Sequence, residues 1–188
     1  MSEEIKGRRV AVLVANEGIE QIEMTAPIEA LKNAGAEVDL IAPEHGEVQA
    51  FNHLDKADTF RVDHSLGEVN SGDYAALVLP GGVANPDQLR TEPKAIKFVT
   101  DFFSEGKPVA AICHAPWTLG EADVVQGRTL TSWPSLKTDI ENAGGTWVDE
   151  EVHVDQGFVT SRKPDDLEAF CSKVVEEIAE GRHAGQTA

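Results

Sequence analysis

The sequence predicts an α/β protein: a three-layer α/β/α sandwich around a mostly parallel sheet, with a small antiparallel insertion at one edge. Three observations carry this expectation. Continuous apolar runs at residues 10–15 (VAVLVA), 75–79 (AALVL) and 108–112 (PVAAI) are bounded by turn or polar residues, as strands buried on both faces are. Helical patterns lie between these runs, and strands alternating with helices close right-handed βαβ crossovers. A chain of 188 residues that is 41% hydrophobic is enough for one domain, 1–188, with a real core.

The elements follow in order. After the strand at 10–15, a helix is expected over 22–34, with Ile22, Ala26, Ala30 and Leu31 on its apolar side and Gly35 as its C-terminal cap. Residues 38–42 (VDLIA) form a shorter strand closed by Pro43. The stretch 44–73 has no helical period and alternates weakly around Val48 and Phe60, which predicts a β-hairpin or antiparallel insertion on the sheet edge. The run 75–79 ends in Pro80-Gly81-Gly82. A helix over 94–105 places Ile96, Val99, Phe102 and Phe103 together, with Gly106 behind it. The run 108–112 leads into Cys113 and a short helix over 116–122. Strands are expected at 129–131, 152–154 and 158–161, the last two joined over Asp155-Gln156-Gly157. The final helix, 165–180, carries the stripe Leu167, Phe170, Cys171, Val174 and Ile178. The polar tail, about 181–188, is expected to fray.

Charge and cysteine content narrow the function. Sixteen Lys and Arg against 33 Asp and Glu give a net charge of −17. That field repels phosphate backbones and anionic lipid, so neither direct nucleic-acid binding nor a membrane role is expected. Two cysteines make no disulfide framework and suit a reducing compartment. The charged start, MSEEIKGRRV, and the absence of any 18-residue apolar run predict neither a signal peptide nor a membrane span, and hence a cytoplasmic protein. The histidines show no HxH or HExxH spacing and there is no CxxC, so no metal and no cofactor is expected.

In an open parallel sheet, ligands bind beyond the carboxyl ends of the strands. Cys113 falls there, between a buried strand and a helix, with small residues Ala111 and Ala115 two positions either side. That is what a sharp strand-to-helix elbow requires. A thiol at such a place faces free backbone N–H groups and is expected to ionise below about 8.5. Cys171, inside an apolar helical stripe, reads as core filler. His114 is placed to act as a general base or to orient a substrate. Gly81 and Gly82 let backbone N–H groups approach a ligand and form an oxyanion site. The segment Asn16-Glu17-Gly18-Ile19-Glu20-Gln21-Ile22-Glu23 is acidic at a helix N-terminus, where carboxylates such as Glu17 and Glu23 ordinarily cap or face solvent. A carboxyl held beside a thiolate behaves differently: two like charges do not share a dry site, so the acid keeps its proton and donates it in a hydrogen bond.

Taken together, the acidic segment 15–23, AALVLPGG (75–82), SEGKPVAAICH (104–114), TSWPSLK (131–137) and VTSR (159–162) closely resemble the PfpI intracellular-protease family of the ThiJ/PfpI superfamily. The resemblance spans nearly the whole chain. It implies the class I glutamine-amidotransferase-like fold, whose sheet is flavodoxin-like. It makes Cys113 the nucleophile, His114 its partner and Glu20 the protonated acid on the sulfur, Glu20 being preferred to Glu17 because of its spacing to Glu23. Amides of Gly82 and His114 would form the oxyanion site. Asp87 would reach across a subunit interface to orient the histidine, in a homodimer or hexamer. Small reactive carbonyls or glycated proteins are the implied partners, and stress-linked deglycase, glyoxalase-like or peptidase chemistry the implied activity. The alternative is a redox sensor or holdase that works by oxidation of Cys113. Amidotransfer fits poorly, because His153-Val154-Asp155 does not match the His-Pro-x-Glu sequence that reaction uses downstream of its cysteine.

Overall fold

The computed structural model describes residues 5–186. In chain order its elements are β1 (Arg9–Leu13), β2 (Glu17–Glu20), α1 (Gln21–Asn33), β3 (Glu37–Ala42), β4 (Glu47–Asn52), β5 (Asp55–Arg61), β6 (His64–Ser65) and β7 (Ala76–Leu79). Then follow α2 (Ala84–Leu89), α3 (Pro93–Ser104), β8 (Val109–Ile112), α4 (Pro116–Glu121), β9 (Thr129–Leu130), α5 (Lys137–Asn142), β10 (Thr146–Trp147), β11 (Val152–Asp155), β12 (Phe158–Ser161) and α6 (Leu167–Glu180). The central sheet has seven strands in the order β11-β12-β8-β7-β1-β3-β6. Its pairs are parallel except β11 with β12.

Alternation along the central strands sends side chains to both faces, and each face carries its own core. Leu13, Leu77 and Phe158 pack with Phe98, Phe102 and Phe103 of α3 and Leu119 of α4. Val12, Val78 and Val159 pack on the other side with Met24 and Leu31 of α1 and with Phe170 and Val174 of α6. This is the expected three-layer sandwich. No helix among the described residues is long and apolar enough to cross a membrane.

Three expectations are corrected. The antiparallel hairpin expected in 44–73 is present as β4 and β5, but it pairs with β2 in a separate three-stranded sheet and not with an edge of the central one. The edge beside β3 is taken instead by the two-residue β6. The strand expected at 129–131 is present as β9, which pairs in parallel with β10 outside the main sheet. The helix over 22–34 exists, but its buried face is Glu23, Met24, Pro27 and Leu31, while Ile22 is 45% exposed. Finally, the tail is docked as far as Gln186, which is fully buried. The His183 amide donates to the Gly106 carbonyl at 2.8 Å, and the Arg128 guanidinium donates to the Gln186 carbonyl. The last two residues of the tail lie outside the described residues.

Candidate active site

The register of the central sheet creates the site. Leu79 of β7 is paired with Ala111 of β8, so the two strands end side by side and Gly81 comes against Cys113. A Cβ added to Gly81 would lie 2.6 Å from the Cys113 Cβ and would collide with Glu23 Oε2. Only glycine leaves room there. Gly82 has φ +85 and is hemmed by the Gly18 carbonyl and the Glu20 amide. Asn85, a residue not anticipated from sequence, holds this turn. It is fully buried, accepts the Ala15 N–H at 2.7 Å, and donates to the carbonyls of Pro80 (2.9 Å) and Gly81 (3.1 Å).

Cys113 adopts φ +64, a left-handed conformation that costs energy for any residue with a Cβ. The peptide units around it are pinned: its N–H donates to the Ser161 carbonyl at 3.0 Å and its carbonyl accepts from Trp133 N–H at 2.8 Å. The expected elbow is therefore present, followed by α4 with Pro116 at its first turn. The sulfur lies 3.1 Å from His114 Nδ1. The His114 ring stacks on Trp133 (centroids 5.7 Å apart, 22° between planes) and meets Trp117 edge-on. Its Nε2 lies 3.5 Å from Ser135 Oγ. Burial lowers the His114 pKa, so the imidazole is neutral at neutral pH.

The carboxyl against the sulfur is Glu23, not Glu20 or Glu17. Glu23 is the third residue of α1 and is fully buried, and neither oxygen makes a hydrogen bond of full geometry in this structure. Its polar neighbours are the Cys113 thiol and the amides of Gly81 and Gly82. Burial pushes its pKa up to about 8, with the Glu20 charge adding to the rise and the two amides opposing it. Glu23 therefore holds its proton at neutral pH. Glu20 instead ends β2, half-buried on the pocket wall, where its Oε2 accepts the His53 N–H at 3.0 Å. Glu17 is exposed. Spacing to Glu23 favours Glu20, with Glu23 itself expected to cap the helix or face solvent; the rotation of α1 instead turns Glu23 inward.

The expectation of a lowered thiol pKa is also corrected. Burial raises the Cys113 pKa, and a charge on Glu23 raises it further, while the N–H groups of Gly82 and His114 oppose the shift. Thiol and carboxyl titrate as a coupled pair, and the loss of one proton from the pair opposes the loss of the second. With the carboxyl protonated its repulsion vanishes, while burial and the hydrogen bond with Glu23 still raise the thiol against the two amides. Cys171, half-buried in α6, is pushed up to about 11 by burial alone.

Cys113 is only 6% exposed, yet it opens on a pocket of about 470 Å³. His114, Glu23 and Gly82 share this floor, and Glu20, His53, Phe51, Leu54, Val83 and Trp133 line the walls and mouth. Asp87 does not join them: it is exposed in the first turn of α2 and makes no hydrogen bond to His114 within the protomer.

Comparisons with known proteins identify the family. Residues 8–177 match the model of the DJ-1/PfpI family. Deglycase PH1704 of Pyrococcus horikoshii is 42% identical over 167 residues, spanning 89% of this chain and 97% of that protein. General stress protein 18 of Bacillus subtilis is 42% identical over 165 residues, spanning 87% and 94%. Among solved structures, Drosophila melanogaster DJ-1beta superposes with a TM-score of 0.84 at 30% identity, covering 92% of this chain and 91% of that one. With a family match running from β1 into α6 and the same sandwich in a solved relative, the chain belongs to the DJ-1/PfpI family.

Proposed function

We propose that this protein is a cofactor-independent cysteine enzyme of the stress response that acts on reactive carbonyls, with Cys113 as nucleophile. The observation that carries the reading is the constellation at one strained residue: a thiol at the floor of a pocket, flanked by a neutral imidazole at 3.1 Å and a protonated buried carboxyl. In this reading, His114 Nδ1 takes the thiol proton as sulfur attacks the aldehyde carbon of a 2-oxoaldehyde. The new C–S bond pushes the carbonyl electron pair onto oxygen, and the amides of Gly82 and His114 receive the developing charge. The proton then passes to that oxygen and gives a hemithioacetal. Transfer of the carbon-bound proton to the neighbouring ketone carbon, through an enediol, converts this to a thioester. Water cleaves the thioester to a 2-hydroxy acid and frees the thiol. Glu23 supplies a hydrogen bond to sulfur throughout. The relative from Pyrococcus horikoshii is named a deglycase and that from Bacillus subtilis a general stress protein, which supports carbonyl chemistry in a stress setting. Early glycation adducts stand as further substrates of this reading, and so do peptides, whose acyl carbon would accept the sulfur and expel its amine to leave a thioester that water cleaves.

The test is conversion of methylglyoxal to lactate by the wild type and by Cys113→Ala. A loss of about a thousandfold or more is expected, and equal rates would remove the reading. Asp87 is assigned to the partner site of a homodimer or hexamer, where it orients His114 of the next copy. Mixing inactive Cys113→Ala with impaired Asp87→Asn subunits should then restore activity, since mixed pairs rebuild one complete site.

A second reading, redox sensing, is favoured by the same acid: a protonated Glu23 beside the sulfur also stabilises a sulfinate. Mass spectrometry after mild peroxide is expected to find oxidation at Cys113 well ahead of Cys171.

A further inference from the structure

We propose that the pocket selects neutral 2-oxoaldehydes whose ketone carries an extended apolar substituent, held by Phe51, Leu54, Val83 and Trp133. This rests on the carbonyl-addition reading above and adds the class of substrate to it. Three of these side chains are among the few large hydrophobics exposed anywhere among the described residues: Leu54 at 95%, Val83 at 56% and Trp133 at 39%. All three converge on the one mouth that leads to Cys113. Exposed apolar groups gathered in this way mark a surface built to be covered; a partner that brings Asp87 to His114 would cover part of this rim, leaving the cavity behind it to the substrate.

The volume and the electrostatics agree on what covers it. A cavity of about 470 Å³ has the size of sites that take drug-sized ligands, and methylglyoxal would leave most of it as water against apolar walls. No Lys or Arg is among its described lining residues, and Glu20 stands on its wall. A substrate bearing phosphate or carboxylate would find no counter-charge and one like charge, so the substituent is uncharged.

The hairpin carrying Leu54 is held in place. His53, just before it, has φ 58 and its N–H donates to Glu20. Further along, Gln21 at the start of α1 exchanges two hydrogen bonds with Asp58, at 2.8 and 2.9 Å. The hydrogen bonds anchor the hairpin whose tip brings Leu54 to the pocket rim, as a specificity element requires.

The experiment measures kcat/KM of the full chain along an aliphatic series, methylglyoxal, 2-oxohexanal and 2-oxooctanal, in which the reacting dicarbonyl keeps the same electronics. An ω-carboxylated member of similar length serves as the charged comparator. A rise of at least about tenfold from the shortest to the longest neutral member is expected, with the charged member falling below its neutral counterpart. Leu54→Ser, on an exposed turn that leaves folding intact by circular dichroism, should flatten the rise. A flat or falling series in an enzyme that turns over methylglyoxal overturns the subsite and leaves the carbonyl reading standing. A rise that Leu54→Ser does not alter overturns the assignment to this mouth. Absence of turnover on every member overturns both.

Discussion

At the floor of the pocket, Cys113, His114 and Glu23 are placed by the register of β7 against β8 and by the rotation of α1, and nearly all of their surface is packed. Along the wall, a three-stranded sheet on the outside of the molecule offers Glu20, His53 and Leu54, which keep their positions through a few hydrogen bonds and remain open to water. Glu20 and Glu23 are three residues apart, yet one belongs to each region. Buried, Glu23 is forced to stay protonated and becomes a hydrogen-bond donor. Half-exposed, Glu20 accepts a backbone N–H and acts as a fastening. The same functional group thus keeps its proton in the core or fastens a backbone amide nearer the surface, according to how much water surrounds it.

The largest test of this contrast is activity. Replacing Glu23 by leucine, which conserves volume but removes the acid, is expected to lower kcat/KM for methylglyoxal by about a hundredfold or more. Glu20→Ala should cost less than about tenfold. Comparable losses from both would erase the distinction between floor and wall.

Packing gives the next effect. Gly81→Ala drives a Cβ into Glu23 and Cys113 and is expected to destabilise by about 1–3 kcal/mol in denaturant titrations. Leu54→Ala on the wall should stay within about 0.5 kcal/mol.

Stability against pH tests the buried acid directly. Glu23 has a folded pKa of about 8 against an unfolded value of 4.5, so between these values the native state binds more protons than the unfolded chain. Stability must therefore fall as pH rises through that window, at up to about 1.4 kcal/mol per unit. Glu23→Gln should flatten this part of the Tm-versus-pH curve, whereas Glu20→Gln should leave its slope in place.

The smallest expected effect is local. Glu20→Ala removes the acceptor of the His53 N–H. It should speed hydrogen exchange at that amide and cost about 1 kcal/mol or less in global stability.

Much of the molecule was legible in the sequence because its signals are local. Each buried run reads as a strand, since a strand covered on both faces must be apolar throughout. The Ala-Ile-Cys-His-Ala order announces an elbow, because only small flanking residues fit the bend. Other features carry no such local mark. Residues 17–20 pair with 49–51 although α1 and β3 intervene in the chain, and nothing in either segment names its partner. Residues 84–89 form a helix too short for periodicity to reveal, and Asn85 within it is a buried latch for the Gly-Gly turn. The tail looks disordered by composition, yet it docks because Gly106 and Arg128, far away in the chain, meet it.

By itself the sequence determined the layered α/β architecture, the place of Cys113 on a bend at the end of β8 and the two glycines beside it. These follow from short-range sterics and from the cost of leaving apolar strands in water. The choice among Glu17, Glu20 and Glu23 was decided only by tertiary structure, and with it the proton inventory of the site. Ionisation depends on the solvent that packing removes from around a carboxyl, and that quantity is a property of the assembled core, absent from any stretch of eight residues.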